Sequence, residues 1–329
     1  FMIGLFGLQV ARRHRIPYVH TYHTLYPEYV HYVWDTRLTK RLAEQLSRVF
    51  GEHCDSIIAP SSKIERYLRD WGVTVPVEVL ATGIEVDRFA SPDPARIARL
   101  RERLEIAEGD KVLLFAGRLG REKNVEMLVR ALWHSRRTDT VLVIAGDGPD
   151  RGELEAVVEE TGVSDQVRFA GYLEGPDMVA GYHMADAFVF ASTTETQGLV
   201  VGEAMAAGLP VICVDDEAVS DFVVDGETGV IVSNRPEEMA RAIDRVLGDD
   251  WLRLKLSEAG VARAHEFSID NQTSKLVAHY ERALEAYPKR RRALIPTSLL
   301  PGPLARIAAA LEDDTVTTGN RRGNGRTDS

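Results

Sequence analysis

The sequence predicts an α/β protein built from two doubly wound parallel-sheet domains. From residue 111 to 215, short apolar runs rich in β-branched residues alternate with segments of helical periodicity. Nearly continuous apolar strands, each followed by a helix, are typical of βαβ units in a parallel sheet that is covered on both faces. Residues 1–85 show the same alternation. Two sheets of one type are therefore expected in one chain.

The first region, residues 1–85, accounts for about half of a doubly wound sheet and begins in a helix. We therefore expect the C-terminal half of a domain whose first strands precede Phe1, and a fragment of this kind to be inactive alone. The unpaired edge of such a half sheet would favour aggregation. The expected elements are a helix over 5–15, a strand over 16–23, a helix over 36–53, a strand over 56–60, a helix over 61–71 and a strand over 77–83.

The second region, residues 86–267, predicts a complete domain of the same type. Its expected strands are 111–117, 140–146, 166–172, 186–192 and 210–215, and its expected helices are 125–133, 152–160, 177–185 and 199–207.

The C-terminal part of the chain is predicted to be helical over residues 236–287, with 268–288 forming a helix that crosses back to the first domain. Residues 289–329 contain the basic run "KRRR" and a polar end, so we expect a largely disordered tail.

Composition and charge exclude several function classes. The chain has 329 residues, 44% hydrophobic and 27% charged, with a formal net charge of −10. This charge argues against a nucleic-acid-binding protein. The two cysteines, Cys54 and Cys213, are far apart and indicate a reducing compartment without a disulfide framework. No apolar run approaches the roughly 18 to 20 residues that a membrane span needs.

A phosphate-binding loop is predicted in "FAGRLGREKN", residues 115–124. The loop follows a strand and leads into a helix, and helix N-termini at the carboxyl ends of parallel strands favour phosphate. Arg118 and Lys123 supply two cations that suit a diphosphate. The alternative is a pair of exposed cations at the start of a helix. The turn "AGDGP", residues 145–149, is a weak signal because such turns are mostly structural.

Two carboxylates, Glu195 and Glu203, lie on either side of Gly198 in "TTETQGLVVGEAMAAGLP". A general acid and base need opposed positions and separated pKa values, and nothing in the sequence suggests a carboxyl group with a raised pKa. Two acceptors beside a phosphate site suit hydroxyl recognition, as a carboxylate holds a ribose in dinucleotide folds. Two solvated glutamates remain the alternative.

Four stretches taken in order, "GRLGREKNVEMLV", "AGDGP", "TTETQGLVVGEAMAAGLPVI" and "DGETGVIV", resemble the C-terminal half of retaining glycosyltransferases of family 4. That family has the GT-B fold, in which two Rossmann-like domains face a cleft. Glu195 and Glu203 match its E-x7-E motif. The linker "ATGIEVDRFA" resembles the family's linker, with Thr82 in place of the usual asparagine.

The resemblance implies roles for single residues. Arg118 and Lys123 would bind the diphosphate of a nucleotide sugar, Glu195 the hydroxyls of the transferred sugar, and Glu203 the ribose. Backbone amides at Gly198, Leu199 and Val200 would meet the phosphates, and the base would lie near residues 172–178, at Leu173. The sequence has no Asp-x-Asp motif, so no obligatory metal and no further cofactor are expected.

The stretch "VHTYHTLYPEYVHY", residues 19–32, holds His20, His23 and His31. HxxH without a firm third ligand is a weak zinc signal. In the family comparison, His23 matches a histidine that faces the donor sugar and would be catalytic together with Glu195. The stretch, with "ETQGL", resembles the subgroup of diacylglycerol glucosyltransferases, which implies UDP-glucose as donor and a membrane lipid as acceptor.

Other functions stay open at this point. They are transfer from GDP-mannose to phosphatidylinositol or to a soluble sugar, a truncated protein that binds nucleotide sugars without catalysis, and an epimerase or phosphorylase on the same fold.

Membrane contact is suggested by the helix expected over 36–50, in which Arg37, Lys40, Arg41 and Arg48 alternate with apolar residues. A basic amphipathic helix is typical of membrane-surface elements, although an ordinary helix with a solvated basic face shows the same pattern. "KRRR" could add a second contact with anionic lipid. We expect a cytoplasmic protein, peripheral on the inner face of the cell membrane.

Overall fold

The computed structural model describes residues 2–24, 37–135 and 137–287 of the chain. These residues fall into two compact units. The first unit takes in Phe1–Leu80 together with the chain from Lys275 onward, and the second unit is Ala81–Ser274. The expectations for His31 and for residues 289–329 lie outside the described residues.

The first unit contains a parallel sheet of three strands in the order β1-β2-β3. The register pairs Val19 with Ser56 and Ile57 with Val77. All four residues of β2 are buried, and three of them, Ile57, Ile58 and Ala59, are apolar, as expected for a strand that is covered on both faces. The elements are α1 (Met2–His14), β1 (Val19–Thr21), α2 (Arg37–His53), β2 (Ser56–Ala59), α3 (Ser62–Asp70) and β3 (Val77–Val79).

A buried ion pair joins α1 to the start of β2 in the first unit. Arg12 Nη1 lies 3.0 Å from Asp55 Oδ2, and the two side chains are only 5% and 4% exposed. The backbone N–H of Tyr18 donates to the same carboxylate oxygen at 2.8 Å. This carboxylate therefore fixes the chain just before β1 against the segment that opens β2.

The second unit contains a parallel sheet of six strands in the order β6-β5-β4-β7-β8-β9, with one core around it. The order reverses between β4 and β7, which makes the carboxyl ends of these strands the switch point where ligands bind in doubly wound folds. The elements are α4 (Val86–Phe89), α5 (Pro94–Arg103), β4 (Lys111–Ala116), α6 (Val125–Ser135), β5 (Thr140–Ala145), α7 (Arg151–Thr161), β6 (Val167–Gly171), α8 (Pro176–Met184), β7 (Ala187–Phe190), α9 (Leu199–Ala206), β8 (Val211–Val214), α10 (Glu217–Ser220), β9 (Val230–Val232), α11 (Pro236–Gly248), α12 (Asp250–Glu266) and α13 (Ile269–Ala286).

The helical C-terminal region expected over 236–287 consists of three helices, because local contacts interrupt it twice. Asp249 caps α12, since its carboxylate accepts the N–H of Leu252 at 2.9 Å. Between α12 and α13, the N–H of Ile269 donates to Ile84 at 3.0 Å. The last part of α13, from Lys275, belongs to the first unit.

Within the first unit, α13 is held by a polar network. His279 Nε2 lies 3.0 Å from Ser56 Oγ, and His279 Nδ1 lies 3.2 Å from Glu78 Oε2. Arg282 donates to the same Glu78 oxygen at 2.7 Å. Burial opposes ionisation of Glu78, but the hydrogen bonds from Arg282 and His279 outweigh it and lower its pKa.

No helix in the described ranges is both long enough and apolar enough to cross a bilayer. On α2, the side chains of Lys40, Arg41 and Arg48 are exposed, while Phe50 is buried in the core of the first unit. Leu42 is 48% exposed on the same helix. The basic side and the apolar side expected from the sequence are thus both present on α2. The exposed residues of this helix include the apolar Leu42 as well as the basic residues.

Candidate functional site

The carboxyl ends of β4 and β5 are packed against one another through glycine backbones. Gly146 has φ +148°, and a Cβ placed on it would lie 1.9 Å from the carbonyl oxygen of Gly117. Only glycine fits there without backbone movement. The N–H of Gly146 also donates to Gly171, at the end of β6, at 2.8 Å. Close packing thus explains why the first glycine of the turn "AGDGP" is required. The same contact holds the loop that follows β4.

Lys123 and Glu195 meet at this edge of the sheet. Lys123 ends a 3-10 turn, Arg121–Lys123, that leads into α6, and Glu195 lies in the loop between β7 and α9. Their ammonium and carboxylate groups are in direct contact, and the side chains are 21% and 14% exposed. The structure therefore brings together two residues that are 72 positions apart and that sequence motifs nominated separately.

Arg118 faces a different partner. Its Nη2 lies 2.8 Å from Glu122 Oε1, and its side chain is 47% exposed. Burial opposes ionisation of Glu122, but a backbone hydrogen bond and the Arg118 guanidinium outweigh it and lower its pKa. Arg118 thus lies in the same loop as Lys123, at the solvent side of the site.

The loops that carry Lys123 and Glu195 are tied to each other. Ser192 Oγ donates to the carbonyl of Glu122 at 3.1 Å, and the Asn124 amide donates to the carbonyl of Ala191 at 3.4 Å. Gln197, which is buried, donates to the carbonyl of Thr82 at 3.2 Å. The loop after β7 is therefore held on two sides, and Thr82, which stands where the family has asparagine, takes part through its backbone.

Gly198 begins α9 in a left-handed conformation with φ +73°. A residue with a Cβ would be strained there, and no side chain caps the helix. The first N–H groups of a helix have no partner within it, so the amides of Leu199 and Val200 lie at the positive end of the α9 dipole. Such an end favours an anion, as predicted for this segment.

Glu203 lies one turn into α9 and is held by a residue that the motifs did not indicate. The hydroxyl of Tyr182, on α8, donates to Glu203 Oε2 at 2.8 Å. Burial raises the pKa of Glu203, and the Tyr182 hydrogen bond and the charge of Arg88 act against that rise. The expectation of a carboxyl with an ordinary pKa was wrong at Glu203, because α9 packs this side chain inward.

Leu173 follows β6 and its side chain is buried against α8, where a Cβ on Gly181 would come within 3.2 Å of it. The loop turns at Gly175, and Pro176 begins α8. The placement of a base near residues 172–178 stays a prediction.

His23 lies in the first unit, just after β1, and is exposed. His20 differs from it, because burial lowers the pKa of His20 to about 4, and its ring packs edge-on against Phe50 with centroids 4.8 Å apart. The described part of the chain contains no group of three or more His, Cys, Asp or Glu side chains that could hold a metal ion. His20 is thus a half-buried residue that packs against the core of the first unit, and the predicted catalytic role of His23 stays a prediction.

A parallel sheet whose switch point carries a cation, two carboxylates and a helix N-terminus has groups that suit a phosphorylated, hydroxyl-rich ligand. Family models agree with this class. Residues 96–263 match the family of glycosyl transferases group 1, and residues 1–88 match glycosyltransferase family 4. The chain belongs to the group 1 glycosyltransferases, which confirms the predicted family.

Two curated relatives of similar identity to this chain have different enzyme names. An alpha-monoglucosyldiacylglycerol synthase of Streptococcus pneumoniae is 34% identical, over 82% of this chain and 64% of that protein. A D-inositol 3-phosphate glycosyltransferase of Salinispora arenicola is 33% identical, over 87% of this chain and 68% of that protein. The chain therefore spans just under two thirds of the length of the streptococcal relative.

A solved structure is similar in fold. HepE of Anabaena, crystallised with UDP and glucose, is 21% identical with a TM-score of 0.74, over 86% of this chain and 76% of that chain. Together with the two parallel sheets, this likeness confirms the predicted GT-B fold class.

Proposed function

We propose that this chain is the nucleotide-sugar-binding part, with part of the acceptor side, of a retaining glycosyltransferase that moves glucose from UDP-glucose to a membrane lipid such as diacylglycerol. The contact between Lys123 and Glu195 beside the N-terminus of α9 carries the proposal. In the proposal, Lys123 is the cation that binds phosphate and Glu195 is the acceptor that binds sugar hydroxyls, and the two side chains are in contact. A nucleotide sugar presents both groups at adjacent positions.

The leaving group is the nucleotide diphosphate. As it departs, negative charge grows on its oxygens and positive charge on the sugar ring, so fixed cations at the leaving group lower the barrier. Lys123 and Arg118 supply the cations, and the amides of Leu199 and Val200 supply the end of a helix dipole. Glu195 holds hydroxyls of the glucose and Glu203 those of the ribose.

The acceptor hydroxyl approaches from the face that the diphosphate leaves, and a diphosphate oxygen takes its proton. The configuration at the sugar carbon is then retained, and no protein nucleophile is required. His23 is the second catalytic residue in this proposal. No metal ion is needed, because the cations of the chain neutralise the diphosphate.

The lipid acceptor is supported by the streptococcal relative, whose name states that it makes a glucosyl lipid. The exposed basic residues of α2 add a physical reason for contact with an anionic membrane, at about 1 kcal/mol for each basic residue near the surface. We infer a peripheral protein on the inner face of the cell membrane.

A different donor or acceptor is the second candidate, because the Salinispora relative at 33% identity is named for an inositol phosphate and not for a diacylglycerol. Transfer from GDP-mannose to phosphatidylinositol belongs to the same alternative.

The test is a transfer assay on the full chain with radiolabelled UDP-glucose and diacylglycerol in vesicles that contain anionic lipid, run with and without EDTA. A glucolipid product in both conditions would support the proposal and would contradict the expectation that this chain is inactive alone. One parallel reaction replaces diacylglycerol by inositol 3-phosphate. A second parallel reaction contains GDP-mannose and phosphatidylinositol. Product in one of these alone would overturn the lipid glucosyltransferase and favour the second candidate.

Glu195→Gln supplies the site-specific arm of this assay. Removing a group that acts on the reacting sugar is expected to lower kcat by about 100-fold or more. Glu159→Gln is the matched control, since Glu159 is an exposed glutamate on α7. Equal activity of the two variants would contradict the role of Glu195.

A further inference from the structure

Tyr182 and Glu203 form a polar contact under the surface of the second unit. The Tyr182 hydroxyl donates to Glu203 Oε2 at 2.8 Å and lies 3.5 Å from the carbonyl oxygen of Val200. The two residues are 21 positions apart, on α8 and α9. The contact therefore depends on how these helices pack, and it joins the proposed ribose-binding carboxylate to the rigid part of the domain.

The tyrosine ring cannot move to another position. Tyr182 is 1% exposed. Its ring lies edge-on to Phe89, with centroids 5.7 Å apart and planes at 77°, and packs against Phe188 at 5.9 Å. Phe89 belongs to the short helix α4, and Phe188 to β7. These two elements, together with α8 itself, fix the direction in which the hydroxyl points.

A fixed donor on one carboxylate oxygen determines what the other oxygen can do. Among the described residues, no hydrogen bond to Glu203 Oε1 is present, so Oε1 keeps both lone pairs. An ionised carboxylate has about four acceptor sites in all, of which Tyr182 occupies one. The remaining sites are enough for the two neighbouring hydroxyls of a ribose.

We propose that Tyr182 is a positioning residue that holds the Glu203 carboxylate so that it accepts the ribose hydroxyls of the nucleotide donor. This inference rests on the proposed function. It adds a residue that touches no ligand atom and acts through Glu203.

The charges around Glu203 support this role. Burial raises the pKa of Glu203 and so favours the neutral form, which is a poorer acceptor. Two groups act in the other direction, namely the Tyr182 hydroxyl from α8 and the Arg88 guanidinium from α4. The tyrosine itself stays protonated, because burial and the nearby carboxylate raise its pKa well above 10. It therefore acts as a donor over the whole physiological range of pH.

The experiment compares Tyr182→Phe with wild type for two probes, UDP and 2′,3′-dideoxy-UDP, by isothermal titration calorimetry on the full chain. Phenylalanine keeps the ring and removes only the hydroxyl. We expect UDP binding to weaken about tenfold, as for the loss of a hydrogen bond to a charged group. Dideoxy-UDP binding should change by less than about twofold, because that probe lacks the hydroxyls which Glu203 would hold.

The pH dependence of UDP binding is a second readout, and a merely structural role of Tyr182 would not change it. Without the donor, the Glu203 pKa rises further, so the acid limb of UDP binding should move to higher pH in Tyr182→Phe. Incorporation of 3-fluorotyrosine at position 182 keeps the shape, provides a stronger O–H donor, and should move the limb to lower pH. This second substitution keeps the test decisive if the phenylalanine variant folds poorly.

Tyr18→Phe is the matched control, because it removes a hydroxyl that donates to Gly4 at 2.9 Å in the first unit. It should leave the binding of both probes unchanged. Equal weakening of UDP and dideoxy-UDP in Tyr182→Phe, or no weakening of either, would overturn the inference alone. If wild type itself binds neither UDP nor dideoxy-UDP, the proposed function fails and the inference fails with it.

Discussion

Gly146→Ala should destabilise the second unit more than any ordinary glycine replacement in a loop. The Cβ of alanine would lie 1.9 Å from the carbonyl oxygen of Gly117, and this oxygen belongs to the backbone and cannot rotate away. The φ of +148° is also unfavourable for a residue with a side chain. Two separate penalties therefore act at one position.

The expected loss of stability can be divided into its parts by comparison with Gly162. Gly162 ends α7 with φ +70°, and no atom lies within 4 Å of the position that an added Cβ would take. Gly162→Ala carries the backbone strain alone, about 1–2 kcal/mol. Gly146→Ala adds an overpacking penalty of about 1–3 kcal/mol, because the loops after β4 and β5 must separate. We expect a total loss of about 2–5 kcal/mol for Gly146→Ala.

The assay is urea unfolding of the two variants and wild type, followed by far-ultraviolet circular dichroism and by UDP binding. Gly146→Ala should also weaken UDP binding, since the displaced loop carries Arg118 and leads to Lys123. Gly162→Ala should leave UDP binding unchanged. A loss of stability for Gly146→Ala no larger than that for Gly162→Ala would refute the close approach of the two loops.

Two further predictions concern the first unit. Glu78→Gln should destabilise the protein by about 1 kcal/mol or less at pH 7, because the ion pair between Glu78 and Arg282 is partly solvated. Arg282 and His279 lower the pKa of Glu78 in the folded state. The stability that Glu78 contributes is therefore present above its ordinary pKa of 4.5 and is lost as the pH falls below that value. Urea unfolding at pH 7 and pH 3 should therefore show a difference from wild type only at pH 7, and an equal difference at both values would contradict the ion pair. Arg12→Met should cost about 3–5 kcal/mol, since it leaves the Asp55 carboxylate buried without its charged partner. The double variant Arg12→Met with Asp55→Asn should recover part of that loss, and a single-variant loss under about 1 kcal/mol would contradict burial of the pair.

The sequence predicted five of the six strands of the second unit, because four of these five are buried along nearly their whole length and form apolar runs. It did not predict β9, of which only Val230 is buried. The expected strand 140–146 is observed as Thr140–Ala145, whose six residues are all buried. The helix Pro94–Arg103 escaped prediction although its start signal is visible: Asp93 accepts the N–H of Arg96 at 3.1 Å, and proline occupies the first helical position. Its apolar face is narrow, with only Leu100 buried, so periodicity gave little warning.

Only those candidate site residues that lie in recognisable sequence motifs could be predicted from the sequence. Lys123 and Glu195 came from separate stretches, and their contact depends on the order of β4 and β7 in the sheet, which spacing along the chain does not contain. Tyr182 could not be found from the sequence, because a single tyrosine in the apolar segment "MVAGYHMA" has the pattern of a core residue. Its proposed role follows from the position of its hydroxyl, which is a property of the packed structure.

Under the proposed function, the contact between Lys123 and Glu195 would affect how strongly the site prefers UDP-glucose to UDP. A diphosphate competes with Glu195 for the Lys123 ammonium, and the carboxylate that loses its partner is 14% exposed and needs new donors. In the proposed complex, UDP-glucose would supply them through its sugar hydroxyls, whereas UDP has no sugar that could do so. In Glu195→Gln we therefore expect UDP to bind as well as in wild type or more tightly, while UDP-glucose loses its advantage over UDP by about tenfold, as for a hydrogen bond to a charged group. Calorimetry with both ligands measures the ratio directly. If both ligands weaken equally in Glu195→Gln, the carboxylate acts on the shared nucleotide, and its assignment to the sugar is wrong.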